Sequence, residues 1–135
     1  VYLLGAILFE IATGVAPHVG EDPASGVVAA AENRIREVES DSGLLPIALK
    51  AMATAPADRF GSVEELQEAV RAFRTHAESV ALAGRAQSLL RAGDLARAVI
   101  GFEDALELWP ENPEATTQVV VARRRDLWQA QVRER

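Results

Sequence analysis

Few side chains in this 135-residue sequence have the type and spacing that chemistry requires. His18 and His76 stand apart, one in a loop and one at a helix end, with no second ligand at metal spacing, and read as surface or capping residues. The acidic pairs Glu64-Glu65 and Glu103-Asp104 are adjacent on helical segments. Neighbours in a helix point about 100° apart, so these pairs diverge and cannot work as paired catalytic carboxylates. There is no cysteine, hence no disulfide, thiolate nucleophile or zinc knuckle, which fits a reducing, cytoplasmic setting. The run Arg123-Arg124-Arg125 is the one basic cluster, and three successive helical residues face three ways.

The net charge of -6 is unevenly spread. Residues 1–76 hold six basic against eleven acidic side chains, whereas residues 121–135 hold five arginines against Asp126 and Glu134. A nucleic-acid binder carries a basic footprint over a whole domain, so nucleic acid is not expected as a partner. With 49% hydrophobic and 25% charged residues, the composition is that of a globular protein of one domain or two small ones.

The elements that would position these residues are helices. No stretch alternates apolar and polar residues long enough for a strand, so an all-α fold is expected. The opening VYLLGAILFEIATG is nearly uncharged. As a helix it would be about 21 Å long against a hydrocarbon core of about 30 Å, with Glu10 inside it, so it is too short to span a membrane. It also lacks the basic n-region of a secretion signal, having no Lys or Arg before Arg34. A helix apolar all round is one buried on every side. It should run from Val1 to Thr13 and stop at Gly14.

A second helix is expected over Ala24–Val38, with Val27, Val28, Ala31, Ile35 and Val38 on one face. A third covers LLPIALKAMAT, with Pro46 in its first turn. Ser62 and Glu65 form a capping-box pattern ahead of the stripe Val63, Leu66, Val70 and Phe73, predicting a helix over Val63–Arg74. From Glu78 the spacing predicts a separate helix, a turn at Ala92-Gly93-Asp94, and a partner helix with Leu95, Ala98, Val99, Phe102, Ala105, Leu106 and Trp109 facing it. A last helix should cover Glu114–Val132, its stripe running through Val119, Val120, Leu127 and Trp128, the two tryptophans packing between helices.

Two stretches resemble the C-terminal end of the large lobe in bacterial-type Ser/Thr protein kinases. VYLLGAILFEIATGVAPH is similar to that family's long buried helix through Val1, Tyr2, Leu4, Gly5, Leu8, Glu10, Thr13, Gly14 and Pro17, departing at Leu3 and His18. ALKAMATAPADRFGSVEELQEAVRAF resembles the closing helices of the lobe. The resemblance implies that Arg59 ion-pairs with a buried Glu of the activation segment, an interaction whose truncation costs several kcal/mol. It implies a structural role for Gly5, support beneath the adenine site from Ile7 and Ile11, and a place near the peptide-substrate groove for Glu10. Simple packing is the competing reading for Ile7, Ile11 and Glu10.

The Gly-rich loop, strand Lys, H-R-D-x-x-x-x-N loop and D-F-G metal site of a kinase are not among these residues. The tetrapeptide Asp58-Arg59-Phe60-Gly61 carries an inserted Arg and belongs to the helix-start motif. The 135 residues are therefore not expected to catalyse phosphoryl transfer. No cofactor is assigned to them, and ATP and magnesium are expected for the parent kinase.

Residues 79–112 resemble a tetratricopeptide repeat, a 34-residue helix-turn-helix unit, at Leu82, Ala86, Leu89, Gly93, Leu95, Ala98, Phe102, Ala105 and Pro110. Arg85 departs from the pattern, and residues 114–135 would begin a second repeat. The resemblance implies a peptide- or protein-binding face at Val80, Ala83, Gln87, Leu90 and Arg91. The Lys and Asn that clamp a terminal carboxylate in chaperone-binding repeats would fall at Ala83 and Gln87, which argues against that ligand class. The sequence thus divides into a kinase-like part, residues 1–76, and a tetratricopeptide-like part, residues 77–135. The expected partners are a substrate of the parent kinase and a ligand of the repeat. The alternative is a non-catalytic helical adaptor. Either way, the apolar bulk of the first helix predicts that the isolated chain leaves it partly uncovered and self-associates.

Overall fold

A computed structural model describes all residues, 1–135. It holds six α-helices: α1 (Tyr2–Thr13), α2 (Pro23–Ala31), α3 (Leu44–Ala51), α4 (Val63–Ala92), α5 (Leu95–Leu108) and α6 (Pro113–Arg133). A single 3-10 turn covers Pro56–Asp58, and there are no strands. No helix is long and apolar enough to cross a membrane. The chain separates into two compact units, Val1–Phe73 and Arg74–Arg135.

In the first unit α1 lies on α3. A Cβ at Gly5 would come within 2.7 Å of Ala51 Cβ and 2.9 Å of Met52 Cγ, so the missing side chain is what lets the helices approach. Phe9, Ala48 and Met52 form the buried centre, flanked by Tyr2, Leu8, Ile35, Val38 and Leu45. Gly14 ends α1 with φ 78°, its N–H donating to Glu10 O at 2.8 Å. The Asp22 carboxylate accepts from Ser25 N at 2.8 Å and starts α2, with Pro23 in the first turn.

α2 is shorter than its apolar spacing suggests. It stops at Ala31, and Asn33 takes a left-handed φ of 51°. Asn33 is held there from a distance: its Nδ2 donates to Met52 O at 2.9 Å and to Thr54 Oγ1 at 3.0 Å. Arg36 N donates to Pro17 O at 2.8 Å. Ile35 and Val38 consequently reach the Phe9 centre from non-helical chain, while Val27 and Val28 remain exposed. α3 also ends early, at Ala51.

The capping pattern before α4 forms with one difference. Glu65 N donates to Ser62 Oγ at 3.2 Å, and the Glu65 carboxylate accepts from Gly61 N, 2.8 Å away, rather than from Ser62. α4 then continues for 30 residues without the break expected near His76. Arg74-Thr75-His76-Ala77-Glu78 contains neither Gly nor Pro, so nothing local stops it. The boundary between the units falls inside this helix.

The second unit is built from the C-terminal part of α4 with α5 and α6. Gly93, at φ 83°, turns the chain, and Asp94 caps α5. Ala83, Ala86 and Leu90 of α4, Leu95, Ala98, Phe102 and Ala105 of α5, and Ala115, Val119 and Ala122 of α6 make one core. Gly101 of α5 lies against Ala86 of α4, where an added Cβ would be 2.9 Å from Ala86 Cβ. The buried stripe of α6 is small, Ala115, Val119 and Ala122, and Val120, Leu127 and Trp128 lie outside it, correcting the expected stripe. Alanines permit a closer helix approach than the larger residues would. Trp109 stacks on His76 with ring centroids 4.2 Å apart.

Candidate functional site

The 3-10 turn and the start of α4 present Arg59. Its Nε donates to Ala53 O at 2.7 Å and its guanidinium lies 4.9 Å over the Tyr2 ring. Two backbone carbonyls, of Ala53 and Thr54, thus hold the side chain. It makes no ion pair within the chain, whose bridges are Arg34–Glu32, Arg71–Glu68, Arg97–Asp94 and Arg123–Glu103.

Tyr2 joins a polar cluster that the sequence did not reveal. Its hydroxyl meets His18 Nε2 at 2.5 Å and contacts Asn33 Oδ1. His18 Nδ1 is 2.8 Å from Arg34 O; a carbonyl can only accept, so Nδ1 carries the hydrogen. Burial pushes the Tyr2 phenol above its ordinary value, against the pull of the Arg59 charge. The Asp22 carboxyl lies below its ordinary value because Ser25 N donates to it, with the Ser25 hydroxyl adding to the effect. No local signal marks this cluster, since Tyr2, His18 and Asn33 are distant from one another in sequence.

Of the residues singled out on α1, Gly5 is buried against α3, while Ile7, Glu10 and Ile11 are exposed. Leu3 is 76%, Ile7 56% and Ile11 66% exposed, so one side of this apolar helix lies bare. Beside it Leu4, Ile7, Leu8 and Val70, with Gln67 and Arg71, line a groove of about 330 Å³ between α1 and α4. A larger hollow of about 620 Å³ lies beside α2, lined by Pro17, Ser25, Arg34 and Arg36 among others. No group of three His, Asp or Glu side chains comes together.

In the second unit the five residues assigned to a ligand face separate. Val80 and Arg91 are exposed and Gln87 is half-buried. Ala83 and Leu90 are instead in the core, at 0% and 5% exposure, and offer a ligand nothing. They lie on the α4 stripe that shares a core with α5 and α6, each about one helical turn from Ala86. Gln87 Oε1 is buried without a hydrogen-bond partner. Arg85, the departure from the repeat pattern, is exposed.

No protein family, curated protein or solved structure matches this chain.

Proposed function

We propose that the chain is part of a bacterial-type Ser/Thr protein kinase: the closing helices of its large lobe followed by a tetratricopeptide-like interaction region. The bare side of α1 is the observation that carries this reading. Leu3, Ile7 and Ile11 are more than half exposed on a helix with Glu10 as its only charged residue. Such a helix belongs where further protein surrounds it. Arg59 adds support, because its carbonyl-held guanidinium is presented without an acidic partner in the chain. A buried carboxylate from an activation segment would complete it.

In this reading the parent transfers the γ-phosphate of ATP to a Ser or Thr hydroxyl, with magnesium held by motifs outside these residues. No residue of this chain is assigned to ATP or to the metal. The test is to read the gene upstream and assay the encoded protein. H-R-D and D-F-G motifs with Mg-ATP-dependent phosphorylation are expected, and their absence overturns the kinase reading. Phosphoryl transfer by the 135 residues alone would overturn the assignment of catalysis to the parent.

A second reading is a non-catalytic helical adaptor that binds peptides or proteins. It is favoured by the second unit, which buries ten residues in a core of its own and leaves Val80, Gln87 and Arg91 along one side of α4. Upstream sequence without kinase motifs, together with peptide binding, would select it.

A further inference from the structure

We infer that the hollow of about 620 Å³ beside α2 takes a small zwitterion with an apolar body, a free α-amino acid or a dipeptide, its ammonium group toward Glu21 and its carboxylate toward Arg36. Neither functional reading above gives this hollow a ligand.

Three segments of the first unit wall the hollow, and each is tied to the next. Residues 17–21 are seated on the start of α2: a Cβ at Gly20 would collide with Ser25 Cβ and come within 2.5 Å of Gly26 N. They are also tied to the chain that follows α2. Arg36 N donates to Pro17 O at 2.8 Å, and His18 Nδ1 donates to Arg34 O, 2.8 Å away. The remaining wall is the face of α2 on which Ser25 and Ala29, one turn apart, lie together. The walls are therefore held by the protein's own contacts and need no ligand to assemble them. Pro17 and Ala29 are buried and Ile35 half-buried, which gives the hollow an apolar lining. Its volume is that of a small-molecule site, typically about 300 to 1,000 Å³.

Charge then selects the occupant. Three charged residues line the hollow: Glu21, Arg34 and Arg36. The Arg34 charge is met by Glu32, with Nε 2.8 Å from the carboxylate. Glu21 and Arg36 enter none of the chain's ion pairs, with each other or with any residue, although they line one hollow. Glu37, the next acidic residue along the chain, lines a separate hollow of about 300 Å³ that Arg36 also borders, and is absent from this one. One free carboxylate and one free guanidinium thus remain, and a ligand that answers both carries one charge of each sign.

The hydrogen-bonding groups divide in the same sense. Ser25 spends its hydroxyl hydrogen on Asp22 Oδ1 at 3.0 Å, so toward the hollow its oxygen can only accept. Asp22 also takes Ser25 N at 2.8 Å, and is occupied at the start of α2. The α2 side therefore offers acceptors, Ser25 Oγ and Glu21, suited to an ammonium. Arg36, from the chain after α2, offers a planar fork of donors suited to a carboxylate.

The experiment follows the amide chemical shifts of the isotopically labelled full chain as leucine, leucyl-leucine, N-acetyl-leucine, leucinamide and glycine are added. Leucine or leucyl-leucine should bind tightest, with shifts concentrated in residues 17–36. N-acetyl-leucine, without the ammonium, and leucinamide, without the carboxylate, should each bind roughly fivefold more weakly, the worth of one exposed ion pair. Glycine should bind more weakly than leucine for want of an apolar body. Glu21→Gln should erase the preference for leucine over N-acetyl-leucine, and Arg36→Ala the preference over leucinamide. Both side chains are exposed, so the variants should fold, and the same spectra report it. N-acetyl-leucine binding as tightly as leucine would overturn the zwitterion in favour of a simple anion. Shifts centred outside residues 17–36, preferences unchanged in both variants, or no shift with any probe would overturn the site itself.

Discussion

Asn112 and Ser79, 33 residues apart, share a buried hydrogen bond of 2.9 Å. Each has a second task. Ser79 Oγ donates to Ala105 O at 2.6 Å, and Asn112 Oδ1 accepts from Ala115 N at 3.1 Å, starting α6. One pair of side chains thereby ties together all three helices of the second unit. Asn112→Ala removes a helix cap and leaves Ser79 with one partner fewer. A cost of about 2 to 4 kcal/mol is expected, combining a cap with an unmet buried polar group. Ser79→Ala combined with Asn112→Ala should cost less than the two singles added, as urea unfolding would show.

The glycines give a prediction of opposite signs. Gly5→Ala places a methyl 2.7 Å from Ala51 Cβ, and overpacking of this kind costs roughly 1 to 3 kcal/mol. Gly84 lies within α4 with nothing within 4 Å of its absent Cβ. Gly84→Ala should therefore stabilise by about 0.5 to 1 kcal/mol, the helix-propensity gain alone. Thermal melting of the two variants distinguishes the sites.

Titration of Tyr2 should be visible at alkaline pH. Burial raises its phenol above the ordinary 10.0, so the folded state holds that proton more tightly than the unfolded chain does. The associated stability is complete below pH 10 and is lost as pH rises through the folded-state value. Tyr2→Phe should flatten that alkaline decline. Asp22 works in the other direction: its carboxyl is lowered, so its cap contributes above the ordinary value and is lost on acidification. Lower protection of the α2 amides at low pH, relative to their intrinsic exchange rates, would report it.

Self-association is expected of the isolated 135 residues, because Leu3, Ile7 and Ile11 form an exposed apolar stripe on α1. Replacing all three with Ser should reduce the sedimenting mass toward that of a monomer while circular dichroism keeps its helical signal. A wild-type chain that already sediments as a monomer at high concentration would count against this.

The helical class and most helix ends were legible where the deciding residues are local. Gly14 and Gly93 end helices through their own left-handed backbone, and Ser62 starts one with a neighbour three residues on. The end of α2 was not legible, because Val27, Ala31, Ile35 and Val38 imitate a helical stripe. What breaks it is Asn33 bonding to Met52 and Thr54, a tertiary event with no trace in the periodicity.

The candidate sites divide in the same way. Arg91 and Val80 are exposed, as their helical spacing allows, but Ala83 and Leu90 were placed on a ligand face by repeat position alone. Their burial depends on where α6 comes to rest. The three adjacent arginines 123–125 looked equivalent in the sequence, and the contact that sets Arg123 apart, its bond to Glu103 at 2.6 Å, comes from a different helix.

The uninterrupted α4 bears on how the two units can be studied apart. With no loop between Phe73 and Arg74, any cut there severs hydrogen-bonded turns. One piece would end in carbonyls with no amides to meet, and the other would begin with amides lacking both carbonyls and a cap. Each excised half would fray at the cut and melt below its stability in the intact chain. Dissection would thus underestimate both units, and substitutions within the whole polypeptide give the truer measure of each.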